Sequence, residues 1–184
     1  QKAGAEFIGI DAETQGDWRG RYGRDGFYIV GDFVSESNPT QPDYFKIGGG
    51  EFFRQSGHGG RDRDMDETRF LLKADADAEK RAGLPPGTGY AKYRQEYLLE
   101  FTDGELHILT LYAAGGHHKG FATWVKLVDA STGEVLDERE FAAEGEDHGR
   151  YISWYVRGAI RLHYDKVEGK GFGNYLNGFF FDPA

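Results

Sequence analysis

Cysteine is absent from the 184 residues, methionine occurs once and proline five times. Without cysteine there is no disulfide scaffold and no thiolate zinc or iron–sulfur site. Also missing is any apolar run of the roughly 18–20 residues that a membrane-crossing helix needs, so no membrane span is expected. Basic residues are in deficit: 22 Lys and Arg stand against 31 Asp and Glu, giving a net charge of −9 and a pI near 5.1. A chain this acidic lacks the basic face of a general nucleic-acid binder, so no nucleic-acid partner is expected. The chain opens QKAGAEF with no signal peptide; it either never carried one or begins at a mature end.

Glycine is abundant, with 28 residues, and aromatics make up 15%. Together they point to many short strands joined by tight turns around an aromatic core, in one domain over residues 1–184. Strand candidates are Phe7–Ile10, Phe27–Val34, Tyr44–Ile47, Glu51–Arg54, Arg69–Ala74 and Tyr175–Phe181. Three stretches read as hairpins. In the first, Tyr93–Phe101 and Leu106–Tyr112 flank Asp103-Gly104, which favours a positive-φ turn. The second joins Thr123–Asp129 to Val135–Phe141, and the third joins Arg150–Val156 to Ala159–Tyr164 through Arg157-Gly158. Within that last pair Ile160, Leu162 and Tyr164 share one face, opposite Arg161 and His163. Ala74–Leu84 has helix formers before a Pro85-Pro86 stop, and allows at most one short helix. The expected class is an all-β antiparallel sandwich or jelly roll of about ten to twelve short strands.

The stretch GDWRGRYGRDGFYIVGD, Gly16–Asp32, admits two readings. Trp18 or Tyr22 can stack on a sugar face while Arg24 and Asp25, with Arg19 and Arg21, bond its hydroxyls; the negative ring face suits weakly positive C–H groups. Alternatively the glycines supply turns, and Trp18 and Tyr22 plug the end of the fold. His117 and His118 read as a polar loop with sugar-bonding capacity, since their spacing does not support a metal. Asp62, Asp64 and Asp66 offer oxygens for calcium, but Arg61 and Arg63 between them oppose a cation, so a solvated loop is expected. Among the strand aromatics, Trp154 shares parity with Ile152 and Val156 and belongs to the core. Tyr155 lies on the opposite face with Tyr151 and Ser153, where it lines a surface. Trp124 shares parity with Lys126 and is the tryptophan expected to be partly exposed.

Taken in order, DAETQGDWRGRYGRDGFYIVGD (Asp11–Asp32), the stretch Phe101–Phe141, GRYISWYVRGAIRLHY (Gly149–Tyr164) and NYLNGFFFD (Asn174–Asp182) resemble an accessory β-sandwich module. Such modules occur in large secreted and cell-surface proteins of bacteria that degrade polysaccharides. The resemblance covers about two thirds of the chain. It implies a galactose-binding-like or jelly-roll fold and a non-catalytic role in binding carbohydrate. It also implies a structural calcium near paired terminal strands, for which Asp11, Glu13 and Asp182 supply hard oxygens. One departure is GGHHKGF, Gly115–Phe121, where the family carries an aspartate-tryptophan-aspartate loop.

The leading expectation is therefore a secreted or cell-surface bacterial module that binds a polysaccharide or oligosaccharide, including an acidic one. Two alternatives stand beside it. A jelly-roll polysaccharide lyase or glycoside hydrolase needs a His/Tyr pair with a carboxylate-neutralising arginine, or paired carboxylates. A structural or adhesive module contacts other domains of a larger chain through an apolar patch.

Overall fold

The computed structural model describes residues 2–48, 64–75, 79–82, 95–114, 122–142, 149–167 and 175–184. Its strands are β1 (Gly4–Asp11), β2 (Gly26–Ile29), β3 (Phe45–Gly48), β4 (Asp64–Met65), β5 (Arg81–Ala82), β6 (Gln95–Phe101), β7 (His107–Ala113), β8 (Ala122–Asp129), β9 (Val135–Ala142), β10 (Arg150–Lys166) and β11 (Gly178–Pro183). All pairings are antiparallel, and no helix occurs among the described residues. The protein is all-β, as expected. Nine strands form one curled sheet, and β4–β5 form a small second one.

The curl is organised by β10, a single strand of 17 residues. Its first half pairs with β1 on one edge and β7 on the other, building the limb β2-β11-β7-β10-β1. Its second half pairs with β6 and β8, building the limb β3-β6-β10-β8-β9. The strand passes from one limb to the other at Gly158, whose φ is +73°. Strands that switch sheets through a bend are how orthogonal packings make their corners.

This corrects two of the three expected hairpins. The Arg150–Tyr164 segment is one bent strand, and Arg157-Gly158 is its corner, not a hairpin turn. Likewise β6 and β7 do not fold back on each other. Phe101 pairs with Gly158 and His107 with Val156, so the two strands run end to end along the same neighbour. Asp103-Gly104, with Gly104 at φ +88°, turns the chain through the matching corner. Only β8–β9 is the hairpin foreseen, with Leu127 opposite Asp137. The strand expected at Arg69–Ala74 is reduced to a single bridge between Leu72 and Arg81, and Glu51–Arg54 lies outside the described residues.

Period two decides what is buried. Leu109, Leu111, Ile152, Trp154, Val156, Leu99, Phe101, Ile160, Leu162, Tyr164, Phe179 and Phe181 all point between the limbs and form the main core. Rings from opposite limbs meet there: Phe45 of β3 and Phe181 of β11 are 4.3 Å apart, and Phe7 of β1 and Phe141 of β9 are 5.8 Å apart. The first limb is also covered outside. Trp18, Leu71 and Ala74 from the flanking loops and Ala82 of β5 pack on Ile29, Tyr112, Tyr151 and Phe180. That double burial explains why β11 reads Phe179-Phe180-Phe181 without alternation.

Candidate functional site

The loop after β1 is fixed by one carboxylate. Asp11 Oδ1 accepts the backbone N–H groups of Glu13 (2.8 Å) and Thr14 (3.0 Å). Its Oδ2 accepts the hydroxyls of Thr14 (2.5 Å) and Tyr22 (2.8 Å). Partial burial pushes the Asp11 pKa upward, but these hydrogen bonds outweigh it and bring it down to about 2. Tyr22 in turn stacks on Tyr151, ring centroids 4.0 Å apart and planes 8° from parallel. Burial, followed by the hydrogen bond to Asp11 and its charge, raises the Tyr22 hydroxyl well above the ordinary tyrosine value.

Trp18 is the plug of the two expected roles. It is 4% exposed, its Nε1–H donates to the Leu72 carbonyl at 2.8 Å, and its ring touches Phe27 and Phe180. No face of it remains for a sugar. The opening stretch is thus the roof of a second hydrophobic layer, and Tyr22 forms its half-buried margin.

Beyond that margin the outer face of the first limb is partly open: Glu6 and Arg157 are exposed and Tyr155, Ile108, Ser153 and Asp182 half-buried, whereas Thr110 and Phe180 are buried. The strand register places its side chains in rows. Glu6, Tyr155, Ile108 and Asp182 form one row across β1, β10, β7 and β11. Between it and the Tyr22–Tyr151 wall runs a row of Gly9, Ser153, Thr110 and Phe180. Gly9 has no side chain, and a Cβ built there meets nothing within 4 Å. The floor is therefore low beside the β1 edge at Gly9, next to the half-buried Ser153, whose hydroxyl pairs at 2.7 Å with that of the buried Thr110. The two aromatic rows are about 13 Å apart, four residues along a strand.

Tyr155 is half-buried, and its hydroxyl has no partner among the described residues. Arg157 follows it on the same face of β10, exposed, with its Nε 3.4 Å from where a Gly4 Cβ would stand. At the far end of the row, Asp182 accepts the backbone N–H groups of Gly23 (3.0 Å) and Arg24 (2.7 Å), and so holds Arg24 at the strip's margin. The Arg24 and Arg157 guanidinium groups have no described ion-pair partner. The strip thus combines a ring face, uncommitted hydroxyl and guanidinium donors, and the Glu6 carboxylate as acceptor.

The other expected residues are dispersed. Asp25 is tied beside the Asp182 end of β11 by its N–H to the Phe181 carbonyl (3.0 Å), and its carboxylate accepts the Tyr44 hydroxyl at 2.9 Å. Trp124 is partly exposed, as its parity predicted, but on the outer face of the opposite limb. His117 and His118 lie outside the described residues. The calcium expectation assumed that the terminal strands meet. They do not: β10 and β7 lie between β1 and β11, which separates Asp11 from Asp182 by about 14 Å across the sheet. All four lone pairs of Asp11 are already engaged, so Asp11, Glu13 and Asp182 do not fit one cation. Among the described residues, no group of three or more His, Asp or Glu is placed to hold a metal. Tyr44 and His107 stack at 3.6 Å, but His107 is buried, with its Nε2 3.0 Å from Asp103, and the Tyr44 hydroxyl is committed to Asp25. Neither presents a proton to an open cleft.

Arg157 was missed by sequence reasoning because Arg157-Gly158 read as a hairpin turn. The parity that selected Tyr155 also selects Arg157 once β10 is continuous. No family model, curated protein or solved structure matches this chain.

Proposed function

We propose that the protein is a non-catalytic carbohydrate-binding module whose site is the outer strip of the first limb, and that it prefers acidic polysaccharides. The observation that carries the reading is the adjacency of Tyr155 and Arg157, a ring face and an unengaged guanidinium on one face of one rigid strand. A pyranose stacks its C–H face on the Tyr155 ring. Arg157 pairs with a uronate carboxylate in a bidentate geometry that lysine does not offer. Further along the strip Arg24 meets the next acidic residue, and Glu6 accepts sugar hydroxyls.

Preformed strands lose little entropy on binding, which favours modest affinity from few contacts. Such a site gains most when joined to other domains or repeated along a chain, as in a secreted or cell-surface bacterial protein.

Affinity electrophoresis in gels containing polygalacturonate or alginate, with calcium and with EDTA, tests the proposal. Retardation of the wild type, lost in Tyr155→Ala and Arg157→Ala and free of unsaturated product absorbing in the ultraviolet, supports it. Retardation unchanged in both variants places binding elsewhere, and release of product assigns the chain to catalysis.

A further inference from the structure

The Tyr155 strip ends in an apolar patch at the Gly158 corner. Val156 pairs with His107, so the antiparallel register brings Leu106, the residue before His107, beside Arg157. Leu106 is 45% exposed, and its parity puts it on the outer face with the half-buried Ile108, which stands opposite Tyr155. His107 between them points the other way and is buried. Arg157 leans off this patch. Its Nε and Cγ lie 3.4 and 3.6 Å from where a Gly4 Cβ would stand, so its stem crosses β1 where that strand has no side chain. On the other flank Pro183 pairs with His107, which sets the small Ala184 next to Leu106. Leu106 therefore keeps its apolar surface open. A lone exposed leucine is ordinary, but this one adjoins Ile108 and the Tyr155 ring, beside a guanidinium.

We infer that the acidic polysaccharide held by the strip carries methyl groups, on a 6-deoxy sugar or an O-acetyl ester, and that Leu106 with Ile108 selects for them. The inference rests on the carbohydrate-binding reading of the Tyr155–Arg157 site. A sugar hydroxyl pressed against aliphatic side chains loses water and finds no partner there. A methyl group gains from the same contact. The two preferences are separated in space. Arg157 crosses toward β1 and Leu106 stands by β7, two strand spacings or roughly 10 Å apart. Carboxylate and methyl therefore sit on neighbouring residues of the polymer, with Tyr155 of β10 stacked between them. A methyl ester of the uronate itself does not fit, because it removes the charge that Arg157 pairs with.

Isothermal titration with three polymers tests it: polygalacturonate, polygalacturonate O-acetylated on its ring hydroxyls, and a chain alternating galacturonate with the 6-deoxy sugar rhamnose. Leu106→Ser is expected to weaken binding of at least one methyl-bearing polymer about fourfold, the share of one buried methyl group. It leaves polygalacturonate binding as tight as in the wild type, which also shows that the variant is folded. Leu106→Met, which keeps an apolar surface, retains most of the affinity. The polymer that responds names the source of the methyl. Equal affinity of Leu106→Ser and the wild type for both methyl-bearing polymers, or a loss of the same size on polygalacturonate, overturns the inference. The strip itself then stands if Arg157→Ala still weakens polygalacturonate binding. Unchanged binding of all three polymers in Arg157→Ala, or no binding of any by the wild type, overturns the strip and this selectivity with it.

Discussion

Replacing Gly158 with alanine tests the corner on which both limbs depend. Gly158 has φ +73°, a region in which an L-residue costs roughly 1 kcal/mol. A Cβ there also stands 3.0 Å from the Ala3 Cα, which is backbone and cannot rotate away. Forcing that contact apart adds about 2 kcal/mol by the usual cost of overpacking. The sum, about 3 kcal/mol, lowers the Tm of a domain this size by roughly 9 °C. Gly133, in the β8–β9 turn, is the control. Its φ is +77°, but a Cβ there meets nothing within 4 Å, so Gly133→Ala carries only the conformational cost, about 1 kcal/mol and roughly 3 °C. Thermal unfolding followed by far-ultraviolet circular dichroism reads both. Equal melting of the two variants would refute the claim that β10 needs bare backbone where it crosses between limbs.

Other outcomes follow from the same geometry. Trp18→Ala empties the outer layer and costs about 3–5 kcal/mol in urea unfolding, yet below its Tm the variant binds polygalacturonate within about twofold of wild type. Trp18→Phe keeps the ring contacts, strands the Leu72 carbonyl and costs about 1–2 kcal/mol. Asp11 titrates near 2 in the fold against an ordinary 3.8, so its contribution is complete above pH 4 and fades as the pH falls from about 4 toward 2. After allowance for its solvent exposure this amounts to about 1 kcal/mol, and Asp11→Asn shows a shallower acid limb when urea midpoints are measured across that range. Asp11→Asn and Asp182→Asn leave any calcium-dependent change in Tm within about 1 °C of the wild type's, because the two carboxylates share no cation; a calcium effect lost in both variants contradicts their placement.

The parts of the fold that were legible in the sequence are those set by local alternation. Ile152, Trp154 and Val156 against Tyr151, Ser153 and Tyr155, and Ile160, Leu162 and Tyr164 against Arg161 and His163, fall on the faces that period two assigns. The corners were not legible. Asp103-Gly104 and Arg157-Gly158 supply the same backbone freedom whether the chain folds back or runs on along a shared neighbour, and only the partner strand decides. That ambiguity concealed Arg157. The second layer had a signal in Phe179-Phe180-Phe181, since three consecutive buried rings require cover on both faces of β11. The expectation that the terminal strands pair failed for a related reason: β10, shared by both limbs, interposes itself and β7 between β1 and β11.

Amide chemical shifts of the 15N-labelled protein, recorded while a short oligogalacturonate is added, test the proposed site most directly. The account predicts saturable shifts confined to the Glu6–Gly9 segment of β1, Ser153–Arg157, Ile108 and Gly23–Arg24, with those of β9 unmoved. Saturable shifts that cluster on other strands and leave Tyr155 and Arg157 unchanged would contradict it.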